Sequence, residues 1–330
     1  MFPPAFWSIR PPTALARLLG PVGGVTAWAT ARRLRRPGWR APVPVICCGN
    51  VGVGGAGKTT VALDLARRLQ ARGIAVHCLT RGYGGRVRGV LRVDPDRHDA
   101  VLTGDEALLL AGVAPTWVSA DRAASARAAI GAGAQILLMD DGLQNPGLVQ
   151  DWPLLVIDGA SGFGNGRLLP AGPLREPVAT AMARARAVIL IGADAAGVTA
   201  QLPSSLPLLR ADLVMEPGLL GLRGEKLLAF AGIARPEKFF AALRGIDLEL
   251  AATRGFPDHH RFSAADIEAL RRDALRLQAI LVTTPKDAVR LPPDMRAEVV
   301  VADVSLRWDA PGALQEMLDR MTGTSPSAGR

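Results

Sequence analysis

The chain has 330 residues, 49% hydrophobic and 21% charged, which excludes a disordered protein and leaves room for two domains around a sizeable core. Its three cysteines, Cys47, Cys48 and Cys78, are odd in number and lack metal-ligand spacing; that argues against a disulfide framework and for buried thiols in a reducing compartment. Seven units of the net charge of +9 come from Arg10, Arg17, Arg32, Arg33, Arg35, Arg36 and Arg40, while residues 1–40 hold no lysine and no acid; the other 290 residues carry only +2, so the basic balance does not point to nucleic acid.

Those arginines flank an apolar stretch, Leu18 to Ala31, that includes Trp28. Its 14 residues are too few for a bilayer-spanning helix, which needs about 20, and Pro21, Gly23 and Gly24 interrupt it. A short apolar segment with a tryptophan and an arginine cluster suits an interfacial anchor on an anionic leaflet. Residues 1–40 are therefore expected to form a basic amphipathic, membrane-associated segment. The plainer alternative is a basic helix packed on the protein itself.

Next comes a short apolar run, Val43 to Cys48, which reads as a buried strand. It leads into Gly52-Val53-Gly54-Gly55-Ala56-Gly57-Lys58-Thr59, which fits the phosphate-loop pattern G-x-x-x-x-G-K-[ST] at every fixed position. Four glycines allow backbone N–H groups to turn around an anionic phosphate, Lys58 supplies a mobile charge, and the Thr59 hydroxyl suits Mg²⁺. From Thr60 onward, Val61, Leu65 and Leu69 recur at helical spacing. Strand, glycine loop and helix together predict a nucleoside triphosphate site, because the helix N-terminus also points at the phosphates.

The pattern continues with strands expected at Ala75–Thr80, Gln135–Met139, Leu154–Asp158 and Ala187–Ile191, an Ala/Leu helix following Gly104-Asp105-Glu106 within Val101 to Ala111, and a helix at Ala123–Gly133. Alternation of this kind predicts an α/β fold: a doubly wound, mostly parallel sheet of the P-loop NTPase type over residues 41–210. Prolines and serines between Ala200 and Pro217 suggest a boundary, and residues 211–322 are expected to form a second, smaller α/β domain. The Ser/Gly/Pro-rich residues 323–330 read as a disordered tail.

Several polar groups in this frame can carry chemistry. Asp140 and Asp141 end a hydrophobic strand about eighty residues after the loop, where a carboxylate can organise Mg²⁺ on the β- and γ-phosphates. An Asp-Gly turn serves equally well as structure. Gly104-Asp105-Glu106 offers either a helix start with favourable acids or a general base beside a second acid. Arg81-Gly82-Tyr83-Gly84 follows a strand at the sheet edge that binds ligands. His259 and His260 lie beside Asp258 in a loop of the second half, and no third residue suggests zinc.

Taken together, Gly49-Asn50, Arg81-Gly82-Tyr83-Gly84, Gly104-Asp105-Glu106, Asp121-Arg122, Asp140-Asp141-Gly142-Leu143-Gln144, Leu169 to Glu176, Phe230-Ala231-Gly232-Ile233, Phe256-Pro257-Asp258-His259 and Lys286-Asp287-Ala288-Val289 resemble the tetraacyldisaccharide 4′-kinases, the lipid A 4′-kinases of Gram-negative bacteria. The resemblance runs from the N-terminal segment to about Arg290. It implies ATP and Mg²⁺ as cofactors, with tetraacyldisaccharide 1-phosphate phosphorylated on its 4′-hydroxyl to lipid IVA. It also implies a monomer at the cytoplasmic face of the inner membrane. By this resemblance Asp105 is the catalytic base and His259 its partner. Gly52 to Thr60 hold the nucleotide, with Lys58 on its phosphates. Thr59, Asp140, Asp141 and Glu106 serve the metal, while Arg81, Tyr83, Arg122, Arg175 and Glu176 line the acceptor site. Asn145 stands where this family usually has His, and Pro285 where Glu is common. The rival reading is a nucleotide-switch ATPase or GTPase acting through partner or membrane binding. Such loops carry an extra lysine at the position of Val53, which counts against it.

Overall fold

In the computed structural model of the chain, residues 4–323 are described. Beyond Gly323, the expected disordered tail lies outside them. The strands are β1 (Val45–Gly49), β2 (Val76–Thr80), β3 (Leu91–Arg92), β4 (Thr116–Val118), β5 (Ile136–Asp140), β6 (Trp152–Asp158), β7 (Ala187–Ile191), β8 (Leu208–Met215), β9 (Lys226–Ala231), β10 (Glu249–Gly255), β11 (Ile280–Thr283), β12 (Val300–Val301) and β13 (Val304–Trp308). Nine form one sheet in the order β13-β8-β7-β6-β1-β5-β2-β4-β3, parallel except for the two edge strands. The other four form a parallel sheet in the order β10-β9-β11-β12.

The two-residue period of a strand explains how β1 is sealed on both faces. Ile46 and Cys48 pack into a core beneath helix Lys58–Ala71, while Val45 and Cys47 join Leu137, Met139 and Ala126 on the other face, beside helix Arg122–Gly131. All three cysteines are buried and unpaired. Burial pushes the Cys47 and Cys78 thiols up to about 12, so they remain protonated.

Residues 211–322 do not form one unit. The small sheet uses residues 226–301, after which β13 returns to pair antiparallel with β8, and helix Pro311–Thr322 packs Leu314, Leu318 and Met321 into the first core. The physical reason is the exposed edge of β8, which β13 covers. The helix expected after Gly104 runs Asp105–Ala111, and a short helix, Ala100–Thr103, precedes it. Between them Gly104 takes φ 86°, and a Cβ there would fall 2.5 Å from Tyr83 O. The break presses the Tyr83 loop against the start of the second helix and makes Asp105 its first residue.

The N-terminal segment folds as helices Ala14–Leu18 and Gly20–Leu34. Ala16 is fully buried, a Cβ on Gly23 would lie 3.3 Å from Leu168, and Thr30 Oγ1 donates to Arg175 O at 3.3 Å. Leu15, Leu18, Val22, Val25 and Trp28 form an exposed stripe at steps of three and four. The segment therefore packs on the protein with one face and presents apolar side chains with another. Among the described residues no helix is long and apolar enough to cross a membrane.

Candidate active site

The carboxyl edge of the large sheet gathers the polar residues. The glycine loop leaves β1 and enters helix Lys58–Ala71 through Gly57, whose φ of 85° favours glycine; Gly54, at 129°, does the same one turn earlier. A Cβ at Gly55 would meet no protein atom within 4 Å, so its bareness serves no packing purpose inside the chain. One rim of the loop is fixed: Gly52 bridges to Leu174, Val53 N–H donates to Pro173 O at 2.8 Å, and Arg175 N–H donates to Val51 O at 2.7 Å. Ala56 N–H is engaged by Gly54 O at 3.1 Å. Val53 and Ala56 thus shape the loop through their amides, and the Val53 side chain is exposed.

Strand register brings the acids to this loop. Cys48 of β1 lies opposite Asp140 of β5, which accepts from Thr59 Oγ1 at 2.9 Å through Oδ2. Its buried Oδ1 has no hydrogen-bond partner. Burial, with the charge of Glu106 nearby, pushes Asp140 up to about 7. Asp141, held at φ 52°, lies 3.8 Å from Lys58 Nζ and 3.0 Å from Arg175 Nη1. Burial alone would raise its pKa, but Lys58 and Arg175 outweigh it and hold the carboxyl below its usual range. Lys58 Nζ also donates to Asn50 Oδ1 at 3.3 Å. An orphaned carboxylate oxygen beside a threonine hydroxyl is a donor set that suits a hard cation completed by water and phosphate oxygens. Among the described residues no three His, Cys, Asp or Glu groups cluster to hold a metal by themselves.

The second group of residues crosses between the two sheets. Asp105 is 3% exposed; its Oδ2 meets His259 Nδ1 at 3.0 Å, and its Oδ1 accepts the Glu106 N–H at 2.9 Å. Burial would raise Asp105, yet the His259 hydrogen bond, Lys286 and Arg290 together hold it below the usual carboxylate range. The same bond raises His259 above the ordinary histidine value. Tyr83, exposed, rests its ring 5.5 Å from the His259 ring. Glu106 receives Lys286 Nζ at 2.7 Å.

A model of the tetraacyldisaccharide-1-P 4′-kinase family matches residues 15–322. The chain belongs to that family. It is 61% identical over 319 residues to the tetraacyldisaccharide 4′-kinase of Gluconacetobacter diazotrophicus, covering 97% of this chain and 98% of the relative. The enzyme of the same name from Rhodospirillum centenum is 52% identical over 322 residues, covering 96% and 95%. Among solved structures, LpxK from Aquifex aeolicus in complex with ATP superposes with a TM-score of 0.75 over 93% of this chain and 99% of that one, at 24% identity, which establishes the fold. The protein is accordingly a kinase of lipid A biosynthesis.

Most of the site residues expected from the sequence of this kinase lie along the same edge. Arg122 is 3% exposed, and burial lowers its pKa to about 10, with Arg81 also pressing it down. One of its guanidinium N–H groups bonds to Ser119 O, while Nε is buried with no partner. Glu176 is placed differently. It is 1% exposed: Oε1 accepts from Gln144 Nε2 and Arg184 Nη2, each at 2.9 Å, while Oε2 faces Arg184 Nη1 at 2.9 Å and is buried without a hydrogen bond, so the side chain braces the wall of the site. Glu106 is committed to Lys286 and reaches Asp140 only through its field. Asn145 closes a turn by accepting the Gly147 N–H at 2.9 Å, and Pro285 opens a helical turn capped by Thr284. Sequence reasoning missed Lys286 and Arg290 as site residues. The signal was present in the cationic Lys286 and Arg290, four apart on one helical turn with Asp287 between them.

Proposed function

We propose that the protein transfers the γ-phosphoryl group of ATP to the 4′-hydroxyl of tetraacyldisaccharide 1-phosphate, giving lipid IVA, at the cytoplasmic face of the inner membrane. The observation that carries this reading is the Asp105–His259 bond, a buried carboxylate and a histidine 3.0 Å apart beside a phosphate loop. Such a carboxylate takes the proton of the acceptor hydroxyl as its oxygen attacks the γ-phosphorus and the bond to the β-phosphate oxygen breaks. His259 fixes the direction of the carboxylate and receives charge from it. Lys58 and the backbone around Gly54 and Gly57 hold the triphosphate in line and offset its charge. Thr59 and Asp140 would hold Mg²⁺, with Asp141 keeping Lys58 and Arg175 in place; bound there, the ion would withdraw electrons from the β- and γ-phosphates.

Arg81, Arg122 and Arg175 suit a phosphorylated sugar, and the Tyr83 ring suits the apolar face of one. The exposed N-terminal stripe, with Arg32, Arg33, Arg35 and Arg36 exposed at its end, suits an anionic bilayer surface from which a monomer draws its acylated substrate.

The decisive assay supplies γ-labelled ATP and tetraacyldisaccharide 1-phosphate in detergent micelles. Label is expected in the lipid. Label found only as free phosphate would replace this reading with that of a nucleotide switch.

A further inference from the structure

Arg290 ties the turn carrying His259 to the acid at the core's edge. Its side chain is 5% exposed. Nε donates to Lys286 O at 2.9 Å, and Nη1 donates to both Gly232 O and His260 O at 3.1 Å. Those two carbonyls bracket the His259 turn, whose own N–H donates to the same Gly232 O at 3.0 Å. His259 takes φ 56°, a left-handed conformation that a residue with a Cβ adopts only when its surroundings impose it. Gly232 admits this packing because a Cβ there would fall 3.0 Å from both Asp287 Oδ1 and His260 Cβ. Asp287 is itself anchored by the Gly232 N–H at 2.8 Å and lies 3.5 Å from Arg290 Nη2. From this grip Arg290 Nε reaches to 3.4 Å from Asp105 Oδ2, the same oxygen that meets His259.

We propose that Arg290 is a positioning residue: by holding the Gly232 and His260 carbonyls while pairing with Asp105, it sets the His259 imidazole against the carboxylate where the two sheets meet. The inference rests on Asp105 and His259 being the catalytic pair. A planar guanidinium carries donors in several directions at once, so one side chain holds the Lys286, Gly232 and His260 carbonyls by hydrogen bonds while its charge faces the Asp105 carboxylate at 3.4 Å. Lysine preserves the charge but is a compact point donor that does not span the three carbonyls and the carboxylate. Misplacing a catalytic group by about 1 Å costs about a hundredfold in rate.

The test uses the full chain in detergent micelles with Arg290→Gln and Arg290→Lys, reading the His259 Nδ1–H resonance in ¹⁵N-histidine protein, assigned by its loss in His259→Asn, together with kcat and the KM for ATP. We expect the resonance to shift or vanish in both variants and kcat to fall about a hundredfold with the ATP KM unchanged. Arg290→Lys keeps charge and most of the volume, so it carries the test if Arg290→Gln does not fold. A wild-type resonance in Arg290→Lys overturns the positioning role whatever turnover does. A shifted resonance with full turnover upholds it and removes the catalytic reading of the pair instead.

Discussion

The phosphate loop lies on the edge of the large sheet and the Asp105–His259 pair bridges that edge to the small sheet, and the two are built in opposite ways. The loop is contiguous: Gly52 to Thr59 carry their own backbone geometry, and a single strand and helix aim them. The pair joins residues 154 apart in the chain, and it exists only because β9 to β12 place the His259 turn over the end of helix Asp105–Ala111. A contiguous site keeps its shape when its neighbours change, whereas an assembled one depends on every contact between the two parts. Several of those contacts are charged: Lys286 to Glu106, Arg290 to Asp105, and Arg235 and Lys238 to the buried Asp158 at the end of β6. Val289 adds an apolar one against the cluster of Ala107 and Leu108.

Removing the base separates the two halves most sharply. Asp105→Ala should lower kcat by about 10²–10⁴-fold while ATP still binds with near wild-type affinity, because no loop contact involves Asp105. Isothermal titration with ATP alongside the micelle assay measures both. Near-normal turnover would remove Asp105 as base, and lost ATP binding would show that the loop depends on the assembled half after all.

A second contiguous feature, the stripe on the N-terminal helices, should also act by itself. Val25→Ser with Trp28→Ser replaces two apolar side chains that are 63% and 64% exposed. Co-sedimentation with anionic phospholipid vesicles should show binding weakened by about tenfold, while turnover of substrate in micelles stays close to wild type. Unchanged sedimentation would assign the stripe a role other than the bilayer.

The same division explains what could be read from the sequence. Strands β1, β2, β5, β6 and β7 are runs of buried residues, so apolar patterning located them and the doubly wound class with them. The loop declared itself through fixed local spacing. Strand β8 mixes buried, half-buried and exposed positions and β10 alternates exposed with half-buried ones, with charges such as Arg210, Asp212 and Arg254, and their short-range pattern does not separate them from loops. The return of β13 to β8 is a pairing across about ninety residues, set by which edge stays open after the other strands have formed. Local pattern shows Arg290 only as a cation four residues after Lys286; its role depends on Gly232, His260 and Asp105, none of them near it in the chain. Family resemblance pointed to Asp105 and His259, which the fold brings together, and to Glu176, which it buries against Gln144 and Arg184.

The smallest expected effect is on stability, and its sign follows from the two partners of the assembled pair. His259 is raised above 6.5, chiefly by the Asp105 hydrogen bond, so its contribution is complete below that value and disappears as pH rises through the folded pKa. Asp105 is lowered below 3.8, since His259, Lys286 and Arg290 outweigh its burial, so its contribution is complete above that value and is lost on acidification through the folded pKa. Both are complete only between about pH 4 and 6.5. The difference in melting temperature between wild type and His259→Asn should therefore be greatest in that window and shrink as pH rises further. The loop has no such partner in the small sheet, so Lys58→Met should shift the melting temperature without following this profile. If the His259→Asn difference is flat from pH 5 to 9, the imidazole and the carboxylate are not coupled in solution, and the assembled half of the site is held by Lys286 and Arg290 alone.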